Sequence, residues 1–171
     1  MRRPAALLLL ALALTGCGYH QAGRASQLPP GLRTIAVPGF VNQTQSYRIE
    51  QQLTAAVVRE FLTRTRYRIA HEDDGSSDAV LHGVVLSTEL APVTYDSATG
   101  RASSALVTVR MRVSLVDRRG RVLYENTRYE FREQYQVSRE ISSFFEEESP
   151  AVERLSRDFA RTLVSNILEA Y

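Results

Sequence analysis

Four groups of residues in this chain have types and spacing from which chemistry could be built. The first is the only cysteine, Cys17, which stands in "LTGCGYH" directly behind an apolar run and could act as a sulfur nucleophile. The second is the acidic triplet Glu146, Glu147 and Glu148, three adjacent carboxylates that could hold a cation. In the third, Arg110 and Arg112 lie two positions apart, and with Arg101 and Arg139 they offer guanidinium groups that can grip phosphate with two parallel hydrogen bonds. The last comprises His20, His71 and His82, with the serines of "SREISSFF" and "SATGRASS". Spacing argues against catalysis in that group. No two histidines stand four apart beside a carboxylate, as a helical metal site needs. The serines lack a nucleophile elbow, and no glycine loop forms a phosphate cradle. Neither a catalytic residue, a metal nor a cofactor is expected. The glutamates have a plainer role ahead of a helix, where carboxylates favour the N-terminal dipole. Arg110 and Arg112, in turn, could pair with Glu125, Glu130 or Glu133 on a neighbouring strand.

Cys17 is explained by what precedes it. Arg2 and Arg3 make a short positive region, and Ala5 to Leu14 is a ten-residue apolar run closed by Thr15 and Gly16. Such a run is too short for a membrane span of about 20 residues and has the plan of an export signal. A buried core cysteine is the common alternative fate. Its position instead makes "LTGC" resemble the lipobox of bacterial lipoproteins, with residues 1–16 as the cleaved signal and Cys17 as the first mature residue. The thiol would then carry a diacylglycerol, and several acyl chains at about 0.8 kcal/mol per buried CH₂ make a firm anchor. By the same resemblance Gly18, where an aspartate would retain a lipoprotein in the inner membrane, favours the outer membrane.

Composition fits one exported domain. The chain has 171 residues, 21 basic and 19 acidic, and every basic residue is arginine. Without Arg2 and Arg3 the basic count falls to 19, equal to the acidic count, so no nucleic-acid partner is implied. A single cysteine excludes an internal disulfide. Residues 17–31 are polar with Gly23, Pro29 and Pro30 and read as a tether. The domain then spans 32–171.

Its elements follow from periodicity. "RTIAVPGF", Arg33 to Phe40, predicts a buried strand stopped at Pro38. Asn42, Thr44 and Ser46 serve as turn and capping residues. Ile49, Leu53, Val57 and Phe61 recur every fourth residue, which predicts an amphipathic helix over Tyr47 to Thr63. "RYRIA", Arg66 to Ala70, is the next strand, parallel to the first through a right-handed crossover. Asp78 to Leu90, apolar on both faces around Val80 and Val84, is covered on two sides or paired centrally. Ala91 to Ser104 reads as a long hairpin loop, either a passive connection or a contact surface carrying Tyr95, Gly100 and Arg101. From Ala105 to Asp117 the chain alternates, with Val107, Val109, Met111, Val113 and Leu115 on one face. A tight turn at Gly120 leads into a strand from Val122 to about Tyr135. Ser149 and Pro150 then look like the cap and first turn of a C-terminal helix striped by Val152, Leu155, Phe159, Leu163 and Ile167. Together these elements predict an α+β two-layer sandwich, a mixed β-sheet with two helices packed on one face.

At Cys17 to His20, "CGYH", and at Leu28 to Phe61, "LPPGLRTIAVPGFVNQTQSYRIEQQLTAAVVREF", the chain resembles the LptE family of lipopolysaccharide-assembly lipoproteins. The later strand pair and final helix match that family's element order. The resemblance implies an outer-membrane lipoprotein on the periplasmic side. It would plug and help assemble the LptD β-barrel and take part in lipopolysaccharide transport to the outer leaflet. Arg101, Arg110, Arg112 and Arg139 are the candidate lipopolysaccharide contacts. "TIAVPGF" before a helix also resembles other envelope lipoproteins, the peptidoglycan-synthase activators and the curli-secretion group, and there the partner is the discriminator.

Overall fold

Short apolar runs punctuated by proline and glycine, and two helices with one apolar stripe each, leave few ways to bury their surfaces. A computed structural model describes residues 28–29, 31–136 and 141–170, and for 141–149 the backbone alone. The readings placed on 1–16, Cys17, Gly18, His20 and Arg139 lie outside the described residues, as do the side chains of Glu146, Glu147, Glu148 and Ser149.

The chain runs β1 (Thr34–Ala36), β2 (Val41–Asn42), α1 (Ile49–Arg64), β3 (Arg68–Ala70), β4 (Ala79–Tyr95), β5 (Ala102–Asp117), β6 (Val122–Gln136) and α2 (Ile141–Glu169). The sheet order is β3-β1-β4-β5-β6, with the two-residue β2 also beside β4. β1 pairs parallel with β3 and β4, as the β1-α1-β3 crossover requires, whereas β4, β5 and β6 form an antiparallel meander. This is the expected α+β sandwich with a mixed sheet. No helix among the described residues is long and apolar enough to cross a membrane.

The alternation read in β5 sets the core. Val107, Val109, Met111, Val113 and Leu115 are buried, and Leu81 and Val85 of β4 join them from the same side. Onto this face α1 brings Leu53, Val57 and Phe61, and α2 brings Leu155, Phe159, Leu163 and Ile167. Phe159 is the centre, with its ring 5.1 Å from Phe131, 6.0 Å from Tyr129 and 6.4 Å from Phe40, each edge-on. Edge-on contact suits the positive ring edge against a negative face. Phe40 in turn lies against Gly83, where a side-chain Cβ would come within 2.6 Å of the ring. That close approach is why a glycine stands in the middle of β4.

Several boundaries differ from the sequence reading. The hairpin loop is only residues 96–101, because β4 continues to Tyr95 and β5 starts at Ala102. Pro92 sits within the extended β4 without harm, because β2 pairs with β4 only as far as Val85, so the later part of β4 is an edge strand that needs no outward donor there. Val80 and Val84 are half-buried, and β4 owes its apolar run to central pairing rather than to cover on both faces. The final helix begins at Ile141, so Pro150 lies inside it and residues 146–148 lie on its backbone path rather than ahead of it. Proline forfeits one helical donor, a local cost that a long apolar stripe can outweigh. Arg48, in the left-handed region at φ 56°, precedes α1 without a side-chain cap. Asn42 instead organises the turn, with Nδ2 donating to Ser46 O and to Glu50 Oε2 at 2.8 Å each. Leu28, read as tether, is buried in the core.

Candidate contact surface on the open sheet face and hairpin tip

The face of the sheet opposite the helices is where the alternating polar residues must emerge, and it carries Arg110 and Arg112. Register places Arg110 beside Glu130 of β6 and Ser87 of β4. Its Nε donates to Glu130 Oε2 at 2.7 Å, and its Nη1 donates to Glu89. Arg132 also donates to Glu130. Hydrogen bonds from Arg110 and then Arg132 hold the Glu130 carboxyl below the usual carboxylate range, and Glu130 and Glu89 raise the Arg110 guanidinium. Arg110 is thus the centre of a cross-strand ion-pair ladder.

Arg112 differs. It faces Val84 on β4, while a register shift between Met111 and Val113 leaves it without an opposite residue on β6. Its exposed guanidinium makes no ion pair among the described residues. Along this face it is a free cation next to a paired one.

The hairpin tip is a separate feature. Asp96 Oδ1 accepts from the amides of Ala98 and Thr99 at 2.9 Å, and Gly100 donates to Asp96 O at 2.8 Å. Gly100 takes φ 66°, a left-handed conformation that glycine adopts without steric cost. The turn holds Arg101 exposed beside Tyr95, which is 62% exposed. Below it, β4 overhangs the helical layer, so Leu90 and Val93 are also exposed at 53% and 46%. The bulge between Val85 and Ser87 turns the later side chains of β4 over. Sequence reasoning named Tyr95, Gly100 and Arg101 and missed Leu90 and Val93, whose apolar type pointed to a core the helices do not reach.

Extended chain advances about 3.3 Å per residue, so Arg101 stands roughly 30 Å from Arg110. The candidate arginines therefore form two sites, the tip and the mid-sheet pair. His71 and His82 are exposed, on a loop and on the open face. No group of three metal-ligating side chains occurs among the described residues. What these surfaces offer is binding: a tip with exposed apolar side chains and a nearby guanidinium, and a charged sheet face.

The family model described as LptE, lipopolysaccharide-assembly, matches residues 32–167. The chain belongs to the LptE family. LptE proteins are lipopolysaccharide-assembly lipoproteins of the envelope that act with the lipopolysaccharide-transport machinery, and they are neither enzymes nor cofactor binders. No curated protein matches the chain in sequence. Among solved structures, lipoprotein B from Nitrosomonas europaea has a TM-score of 0.54 at 14% identity, covering 88% of this chain and 90% of its own. The rare lipoprotein B from Shewanella oneidensis has a TM-score of 0.51 at 16% identity, covering 81% and 92%. At such identities the likeness is one of fold, and it extends over four fifths or more of each chain.

Proposed function

We propose that this LptE-family chain is an outer-membrane lipoprotein, cleaved after residue 16 and acylated at Cys17, with a tether over 17–31 and one domain over 32–171. In this reading it binds inside an LptD-type β-barrel, assists that barrel's assembly and takes part in delivering lipopolysaccharide to the outer leaflet. The observation that carries the proposal is the overhanging β4–β5 hairpin. Its exposed Leu90, Val93 and Tyr95 cluster on one projecting element, whereas Val41, Tyr47, Leu62 and Val122 are exposed on separate parts of the fold. Exposed apolar groups on one projecting element mark contact surfaces. Tyr95, Gly100 and Arg101 form the barrel contact. Arg101, Arg110, Arg112 and Arg139 supply the guanidiniums for lipid A phosphates, with Arg112 the readiest because it has no ion-pair partner among the described residues.

The test is affinity purification of the acylated protein from outer membranes in mild detergent, beside a variant carrying Y95S, G100A and R101S. A large β-barrel in equal amount, lost with the variant, is the expected result. Recovery of a peptidoglycan synthase or of a ring of this chain alone would overturn the barrel assignment. Separately, Arg112→Ala should weaken lipopolysaccharide binding more than Arg110→Ala, and equal affinity of both variants and wild type would reject the sheet-face contact.

A further inference from the structure

The opposite end of the domain from the hairpin tip carries a second charged surface. A cleft of about 1070 Å³ opens there, between the last turn of α1, the start of β1, the segment entering β3 and the end of α2. Arg33, Arg64, Arg66 and Arg68 line it, against one carboxylate, Asp78. That carboxylate is already engaged: its Oδ2 accepts from the amides of Arg33 and Thr34 at 2.9 and 3.0 Å, and its Oδ1 from Arg118 Nη2 at 3.3 Å. Asp73 and Asp74, nearby in sequence, turn back onto the amides of Gly75 and Ser76. Arg64 pairs with Glu60 at 3.6 Å and donates to Ser165 Oγ at 2.6 Å, but the side chains of Arg33, Arg66 and Arg68 make no ion pair among the described residues. Pairing of Ala79 with Asp117 brings the β5–β6 turn, with its exposed Arg119, to the same end.

Arginine at a helix C-terminus has an ordinary use, in offsetting the carbonyl dipole. That dipole amounts to about half a charge, too little to balance the three guanidiniums that have no ion pair among the described residues. A cradle for a small free phosphate is also a poor match, because such sites gather backbone N–H groups at a helix N-terminus, and here two helices present their C-termini. Leu32, half-buried, and Leu168, buried in the core, add apolar side chains to the lining beside the guanidiniums. Phosphates displayed on a surface, with apolar glycerol and acyl carbons just behind them, meet both features. The chain also enters the domain on this side, since Leu32 lines the cleft. From Leu28 back to residue 17 is at most about 40 Å of extended chain.

We infer that the Arg33–Arg64–Arg66–Arg68 cleft docks the domain onto the anionic phospholipid headgroups of the leaflet that holds its anchor, guanidiniums on phosphate and Leu32 towards the glycerol. The location of that leaflet rests on the acylation proposed above; the charge chemistry of the cleft does not.

The experiment uses the mature chain from residue 17 with Cys17→Ser, so that no acyl chain contributes, and measures co-sedimentation with vesicles of phosphatidylcholine containing a third phosphatidylglycerol. Each basic residue near an anionic surface contributes appreciably to binding, so R33A/R66A/R68A is expected to lose at least tenfold in partitioning. R59A/R157A/R161A removes the same charge from the exposed helix faces and should bind within about twofold of wild type. R66Q/R68Q, a milder pair, is expected to fall between the two and covers the event that the triple variant misfolds. Equal binding of cleft and control variants, or equal binding to pure phosphatidylcholine, overturns the proposal. So does release by millimolar inorganic phosphate beyond the effect of chloride at the same ionic strength, which would make the cleft a free-phosphate site. No barrel is present in this assay, so its result is independent of the purification above.

Discussion

At the scale of single residues, the sharpest constraint lies between Gly83 and Phe40. The glycine is buried on the core face, and a Cβ there would press into a ring whose own backbone amide is held by Thr54 Oγ1 at 3.0 Å. The ring also abuts Phe159, so it has little room to withdraw. Gly83→Ala is therefore expected to destabilise the domain by about 1–3 kcal/mol, the usual range for overpacking, read from the urea midpoint. An unchanged midpoint would mean that Phe40 is free to move. Tyr129 sets a second residue-level expectation. Burial, and then its hydrogen bond with Tyr124, raise the phenol far above its ordinary value, while Asn166 donates to its oxygen at 2.8 Å. Because the folded state keeps this proton more tightly than the unfolded chain, its contribution is complete below about pH 10 and declines as pH rises beyond that. Tyr129→Phe should flatten the fall in stability between pH 9 and pH 11.5; parallel curves for variant and wild type would assign the fall to other groups.

Among elements, α2 does the most to close the core, because its stripe meets both α1 and the β5–β6 face. Phe159→Ala would empty the junction of three aromatic rings and is expected to cost about 3–5 kcal/mol, visible in denaturant unfolding. A loss below 1 kcal/mol would show that the neighbouring rings collapse into the space. Strand β4 illustrates a different point. Its first half is central and its second half is an edge, so one continuous strand serves the core at one end and a projecting hairpin at the other. Arg110 belongs to this scale as well, since the Glu89–Arg110–Glu130–Arg132 ladder joins three strands. Exposed pairs of that kind contribute little to stability, so the ladder sets charge pattern more than it holds the fold.

For the whole molecule, the two ends differ in chemistry. The hairpin end is apolar with Arg101 beside it, the other end is rich in guanidinium, and the helices cover only one sheet face between them. Since Tyr95 and Arg101 bury little, Y95S/R101S is expected to leave the melting temperature within a few degrees of wild type while weakening capture of a barrel partner. A melting temperature lowered by ten degrees or more would make the tip part of the folding unit instead.

Much of this was legible along the chain. Repeats of four in "IEQQLTAAVVREF" and of two in "ALVTVRMRVSLVD" determined a helix and a strand, with their buried faces, because side-chain direction follows local backbone geometry. The "LPPGLRTIAVPGF" stretch carried the family. Only the tertiary structure decided where β4 loses its neighbour, that the loop is six residues rather than fourteen, and that Pro150 lies within α2. It alone separated Arg101 from Arg110, and gathered Arg33 with Arg64, Arg66 and Arg68. "TRTRYR" does alternate, which puts its arginines on one side of an extended chain, but Arg33 joins them only through the parallel pairing of β1 and β3. Such pairing depends on which distant segments share a register, and that is set by the burial of both partners together rather than by either sequence alone.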